Sequence, residues 1–294
     1  MAPAVWFITG SSSGMGRAMT ERVLSQGNIA VATLRRPEVL NELKTKYSQE
    51  HLLVLRLDIS QPEEISAAFQ RTKEVYGRID FVFSNAGYSM LGEIESTPQD
   101  MAQKMFDTNF WGSMNVARES VRFFREVNNP QGGHFIQISS IVGIVASAAL
   151  GYYTASKHAL EGALESMSKE LDPKWNIKIS IVEPGGFATR GAQPESLVQT
   201  PPHPAYDYEG SHVKFMRGYI PGTNQSSLST VAMKALYDTL GKIDKAPLRV
   251  PLGKDAIKGF RTTAKSLEED ASKFESLSDD LLMDGKAIMT HLDH

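Results

Sequence analysis

Short apolar, β-branched runs alternate with amphipathic stretches over the first 182 residues of the chain. Residues 5–9, 28–34, 52–57, 79–83, 134–138 and 177–182 read as strands, and most are continuously apolar rather than alternating. Between them, 15–25, 37–47, 62–76, 97–106, 108–127 and 152–171 carry helical spacing. Pro62 occupies a favoured first-turn position. Gly132-Gly133 and Asp172-Pro173 break the chain before the next strand. Continuously apolar strands between helices predict a parallel sheet covered on both faces. Right-handed crossovers make that a doubly wound, Rossmann-like α/β sheet in a single domain.

After Pro184 the texture changes. Residues 190–226 are rich in Pro, Gly, Ser, Tyr and His without a sustained period, which predicts a lid or binding loop, about 190–225, over a substrate. A helix at 230–240, a short strand at 248–250 and a polar, mostly acidic helix at 263–283 follow. The expected organisation is one domain over 1–262 and a helical extension, 263–294, packed on it.

Composition narrows the function classes. Of 294 residues, 41% are hydrophobic and 22% charged, with a net charge of -3. A charge this small and well mixed argues against nucleic acid as a partner. Cysteine is absent, which removes disulfides, thiolate metal sites and a cysteine nucleophile, and no metal is expected. The N-terminus lacks the basic and long apolar regions of a signal peptide, and no run approaches the length of a membrane span. A soluble, cytoplasmic protein is expected.

The turn after the first strand, Thr9-Gly10-Ser11-Ser12-Ser13-Gly14-Met15-Gly16, opens directly into a helix. Its glycines permit a tight turn and close backbone approach, and the helix N-terminus offers free amides to a pyrophosphate. The spacing is GxxxGxG rather than GxGxxG. The second strand ends Thr33-Leu34-Arg35-Arg36, with no acid before Glu38. An acid here would bind a ribose 2′-hydroxyl, whereas arginine accommodates a 2′-phosphate, so Arg35 favours NADP(H), with Ser11 adding a hydroxyl to the same phosphate. Asp58 is placed to meet the adenine amino group or to cap the following turn.

Tyr153 and Lys157 stand four residues apart on a predicted helix, hence on one face. A free phenol has a pKa of about 10, and a neighbouring cation lowers it. The pair makes a general acid/base without histidine or metal. A hydroxyl comes from Ser139 or Ser140, which alternation places on opposite faces of the preceding strand, so only one can serve.

Together these pieces resemble the short-chain dehydrogenase/reductase family from about residue 5 to 189, and weakly to about 250. Thr9 to Gly16 matches the family's cofactor turn. Ser84-Asn85-Ala86-Gly87 matches its strand-end motif, with Ser84 replacing the usual Asn. Asn109, Ser140, Tyr153 and Lys157 fall at its catalytic positions, and the family spacing selects Ser140 over Ser139. Pro184-Gly185-Gly186-Phe187-Ala188-Thr189 matches the segment that closes over the nicotinamide. Ala32-Thr33-Leu34-Arg35 is similar to the NADP-binding strand end of hydroxysteroid and retinol dehydrogenases and carbonyl reductases. The resemblance implies that Tyr153 transfers the proton, Lys157 lowers its pKa and holds the nicotinamide ribose, and Ser140 holds the substrate oxygen. It implies that Asn109 positions a water, although Asn109 could also simply cap or kink its helix. The implied cofactor set is Gly10, Ser11, Ser13, Gly14, Met15, Gly16, Arg35, Asp58, Ile59, Asn85, Ala86, Gly87, Tyr153, Lys157, Pro184, Gly185, Phe187 and Thr189. Ser140, Val142, Tyr153 and Phe187 are expected at the substrate.

The expected activity is therefore NADP(H)-dependent interconversion of a carbonyl and an alcohol on a small, hydrophobic substrate. A silent nucleotide-sensing or scaffold protein, and an epimerase or dehydratase, are the competing classes. A silent protein would typically have lost one of the four catalytic residues. An epimerase would carry a larger sugar-nucleotide region. Tyr88, Val142, Leu150, Phe187, Tyr206, Phe215, Met216 and Tyr219 are candidates for the pocket wall, or for lid packing. A homodimer or homotetramer through the helices carrying Asn109 and Tyr153 is expected. Phe106, Phe110, Trp111, Met114 and Phe124 would supply that surface or pack on the sheet.

Overall fold

The computed structural model describes residues 2–187, 197–222, 229–241 and 245–278. Strand β1 (Val5–Thr9) leads into α1 (Gly14–Ser25), β2 (Ile29–Leu34), a 3-10 turn with α2 (Asn41–Lys46), β3 (Leu52–Arg56), α3 (Pro62–Tyr76) and β4 (Phe81–Ser84). The short β5 (Met90–Leu91), α4 (Gln99–Phe106), a π-helical stretch (Asp107–Gly112) and α5 (Ser113–Glu126) precede β6 (Gly133–Ile138). The rest is α6 (Gly151–Glu170), β7 (Ile177–Pro184), β8 (Val198–Gln199), α7 (His212–Gly222), α8 (Ser229–Leu240), β9 (Arg249–Leu252) and α9 (Lys254–Phe274).

Seven strands form one sheet in the order β3-β2-β1-β4-β6-β7-β9, and every pairing is parallel. Alternation along β1 sends Trp6 and Ile8 into one core, and Val5 and Phe7 into the other. Both faces are thus buried, as the apolar runs require. Each such side chain contributes about 1.5–3 kcal/mol by leaving water. Trp6 stacks on Phe81 at 4.1 Å and on Tyr237 of α8 at 5.3 Å, which fastens the C-terminal part of the chain to the first strand. Among the described residues no helix is long and apolar enough to cross a membrane.

Two expectations are corrected. The segment expected to be irregular contains β8 and α7. Val213, Met216 and Ile220 of α7 repeat at helical spacing and pack on Leu91, Val142, Leu150 and Leu197, a short apolar stripe hidden among Pro, Gly and Tyr. Residues 188–196 and 223–228 of that segment, with Thr189, lie outside the described residues. The last helix begins at Lys254 rather than 263, so residues 262 and 263 lie within one helix. Gly259, unfavourable for helix by propensity, sits there because a Cβ would lie 2.8 Å from Ile141 Cδ1. Of the five residues that would either supply an oligomer surface or pack on the sheet, Phe124 is fully buried on the sheet, while Phe110 and Met114 pack against the same core. Trp111 is exposed.

The edge strand β9 is held by charge. Arg249 donates to Glu161 at 2.5 Å, to Glu165 at 2.9 Å and to Glu183 at 3.1 Å, tying β9 to α6 and β7. Glu183 also accepts from the Val250 amide at 3.0 Å. One guanidinium shared by three carboxylates leaves an excess of negative charge. Burial and the neighbouring Glu161 push Glu183 up to about 8. Arg249→Met should therefore lower unfolding stability by about 3–5 kcal/mol, the scale for breaking a buried pair. A carboxylate with a raised folded pKa is stabilised by protonation as pH falls. The loss, read from urea midpoints, should accordingly be larger at pH 8 than at pH 5. Equal losses at both would remove the electrostatic explanation.

Candidate active site

The strand order reverses between β1 and β4, and a cleft of about 1510 Å³ opens along the carboxyl ends of the strands there. Its floor is built by hydrogen bonds between neighbouring strand ends. The Asn85 and Ala86 amides donate to Thr9 Oγ1 at 2.9 and 3.0 Å. The Asn85 side chain donates to the Thr9 and Gly10 carbonyls at 3.2 and 3.3 Å. Gly10 has φ +69°, and a Cβ on Gly16 would lie 2.3 Å from the Gly10 carbonyl oxygen. The chain therefore passes closely under the start of α1, where no side chain caps the Ser13 N-cap position. Ser12, Ser13, Gly14 and Met15 line this end of the cleft.

These features fit a dinucleotide. The uncapped α1 terminus suits a pyrophosphate, and Arg35, exposed at the cleft edge, suits an additional anion. Asp58 and Ile59 line the same end. Asp58 also accepts from the Ser60 amide and hydroxyl at 3.0 and 2.8 Å, the turn-capping role its position allowed. Ser11 is corrected. It is fully buried and its hydroxyl donates to the Ile8 carbonyl at 3.1 Å, so it braces the turn and Ser12 takes the cleft position. Ser84, in place of the usual Asn, leaves its buried Oγ unpartnered among the described residues.

Across the cleft, helix α6 presents Tyr153 and Lys157 one turn apart. The two serines separate as alternation requires. Ser139 donates to the buried Glu161 at 2.5 Å, whereas Ser140 shares a hydrogen bond with the Tyr153 phenol. Lys157 Nζ donates to the Ile138 carbonyl at 3.2 Å and stands 5.9 Å from the Tyr153 ring centroid. Burial pulls the lysine down to about 8, opposed by Glu161. Burial pushes the phenol above its ordinary value, opposed by Ser140. In the protein alone the phenol therefore lies above its ordinary value, because burial outweighs the Ser140 hydrogen bond.

Asn109 lies in the π-helical stretch, fully buried. Its side chain accepts from the Tyr88 amide at 3.0 Å and donates to the Tyr88 carbonyl at 2.8 Å, joining the widened helix to the loop after β4. A Cβ on Gly87 would lie 3.0 Å from Asn109 Oδ1 and 3.9 Å from Lys157 Nζ, so all three crowd together.

Pro184, Gly185 and Phe187 border the cleft. Asp255, in the first turn of α9, accepts from the Gly186 amide at 2.7 Å. Sequence reasoning missed Asp255 because the helix start at Gly253 was not recognised. The apolar end is walled by Val142, Leu150, Phe187, Met216, Tyr219 and Ile220, together with Tyr88. Phe215 is instead exposed and stacked on Tyr219, and Tyr206 donates to Glu95 on the surface. Helix α7 is pinned beside this wall by Arg217, which donates to both carboxylate oxygens of Glu93 at 2.8 and 2.7 Å and to Thr200. The Arg217 contact holds the Glu93 carboxyl down at about 2.

The model of short chain dehydrogenases matches residues 4–198. The chain is 34% identical over 277 residues to an uncharacterized oxidoreductase of Schizosaccharomyces pombe, covering 94% of this chain and 91% of that one. It is 34% identical over 284 residues to oxidoreductase calM of Penicillium decumbens, covering 94% and 92%. A solved short-chain dehydrogenase from Streptomyces avermitilis superposes with a TM-score of 0.84 at 28% identity, over 96% of this chain and 99% of that one. A match that runs unbroken from the glycine turn through Ser140, Tyr153 and Lys157 makes this chain a member of the short-chain dehydrogenase family, oxidoreductases that bind a nicotinamide cofactor.

Proposed function

We propose that the protein is an NADP(H)-dependent oxidoreductase interconverting a ketone or aldehyde and an alcohol on a small, hydrophobic substrate. The observation that carries this reading is the Ser140–Tyr153–Lys157 cluster, placed between an anion-receptive glycine turn and an apolar wall. When bound, the cofactor supplies or accepts the hydride. Ser140 and Tyr153 offer two hydroxyl groups to the substrate oxygen, and the phenol, kept protonated by burial, gives it a proton during reduction. In oxidation the same phenol oxygen takes the proton back. Lys157 holds the ribose hydroxyls and brings positive charge beside the phenol. Asn109 holds the Tyr88 peptide against the same corner. The apolar wall excludes water and receives the rest of the substrate.

Tyr153→Phe should lower turnover by at least about 100-fold, the lower scale for losing a general acid. NADPH should still bind in a fluorescence titration, since the ring volume is kept. Near-normal turnover would refute the role.

Arg35 can pair with a 2′-phosphate through a charge-assisted contact. NADPH should therefore exceed NADH in kcat/KM at equal ionic strength. Arg35→Asp should shift relative affinity toward NADH by about tenfold or more, as expected for losing one such contact. Wild-type preference for NADH would overturn the cofactor assignment.

A lysine lowered by burial keeps its charge below its folded pKa and loses it as pH rises through about 8. Reductive kcat/KM should fall across that range. Glu161 favours the charged lysine, so Glu161→Gln should move the fall to lower pH. An unmoved profile in a folded Glu161→Gln protein would separate Glu161 from the reaction.

A further inference from the structure

Helix α9 carries an apolar stripe that is left exposed among the described residues. Ile257, Phe260, Ala264, Leu267, Ala271 and Phe274 recur at alternating intervals of three and four residues, the heptad seam of a two-stranded coiled coil. Ala256 is fully buried against the body, but every position from Ala264 to Leu277 is exposed. Leu267 is 65% exposed and Phe274 49%. Among the described residues, the exposed half of α9 has no partner surface.

The charges say what fits. The row beside the seam, one residue after each second apolar position, holds Lys254, Arg261, Glu268 and Glu275. All four side chains are exposed. In an antiparallel pair of identical helices this row faces itself in reverse. Lys254 then meets Glu275 of a second copy, and Arg261 meets Glu268, so each of the four contacts joins opposite charges. In a parallel pair the facing rows would set Asp270 against Glu275 of the other copy, a like-charge contact. The antiparallel register also matches sizes. Ile257 lies against Phe274, Phe260 against Ala271, and Ala264 against Leu267, so large side chains mostly meet small ones. Lys254, Ile257, Lys258, Arg261 and Lys265 line a shallow groove on the basic half, where the acidic half of the other helix would lie. An anionic membrane surface matches less well, since the acids of the second half would approach it too.

We infer that α9 is a self-association surface, and that two copies of this chain pair through their α9 helices, antiparallel and in this register. This interface is separate from the helices that carry Asn109 and Tyr153, and it does not depend on the proposed activity.

The chain has no cysteine, so single cysteines report the pairing cleanly. Ile257→Cys and Phe274→Cys each change an exposed side chain. In the antiparallel pair, a residue and its own counterpart lie about 25 Å apart at 1.5 Å per residue. Each full-length single-cysteine protein should thus oxidise poorly alone, while an equimolar mixture should form a disulfide-linked dimer containing one of each. Sedimentation should show that Leu267→Asp raises the dissociation constant of this contact at least about 100-fold, as expected when both copies lose a buried leucine. Arg261→Glu should weaken the contact, and adding Glu268→Arg should restore it. No mixed crosslink, or equal crosslinking of Phe274→Cys alone, would overturn the inference. So would failure of the double charge swap to restore association. Crosslinking that appears only after removal of residues 279–294 would assign the stripe to the chain's own tail and overturn it as well.

Discussion

The site depends on one staple, the hydrogen bonds from Asn85 and Ala86 to Thr9 and Gly10. A parallel sheet brings the ends of β1 and β4 side by side at the strand-order reversal, but it does not by itself shape the turn above them. The Thr9 hydroxyl accepts two amides there, and the Asn85 amide satisfies two carbonyls. Polar groups that would otherwise be stranded at the edge of a core are thereby paired. With the turn held, the start of α1 lines the cleft.

The opposite wall follows a different logic. Tyr153 and Lys157 come from one helix, so their relative placement is local, but their chemistry is set by what surrounds them. Burial disfavours charge on both, raising the phenol and lowering the amine. Glu161, one further turn along, opposes this for the lysine while accepting from Ser139 and Arg249. The network that anchors the edge strand β9 is thus also the electrostatic background of Lys157. Strand anchoring and lysine titration share the same carboxylate.

The apolar end of the cleft is assembled from segments far apart in sequence. Val142 and Leu150 lie close in sequence to Ser140 and Tyr153, whereas Met216, Tyr219 and Ile220 come from α7. Arg217 fixes α7 by its paired contact with Glu93, 124 residues away. The shape of this end of the cleft therefore rests on a long-range ion pair.

The periodicity of the first 182 residues determined the parallel sheet, because strands buried on both faces must be continuously apolar. The spacing of Tyr153 and Lys157 determined a shared helical face, and the glycine turn announced itself because few other residues permit such approach. Other features were decided only by the tertiary structure. The partner of each serine was decided there: Glu161 accepts from Ser139, and Ser140 stands by the Tyr153 phenol. Ser11 turned inward, where its hydroxyl joins that of Thr33 on the Ile8 carbonyl, and Ser12 lines the cleft instead. Helix α7 escaped notice because its three apolar contacts become a stripe only against Leu91, Val142, Leu150 and Leu197. The phenol is held above its ordinary value because burial, a property of the whole fold, dominates its titration.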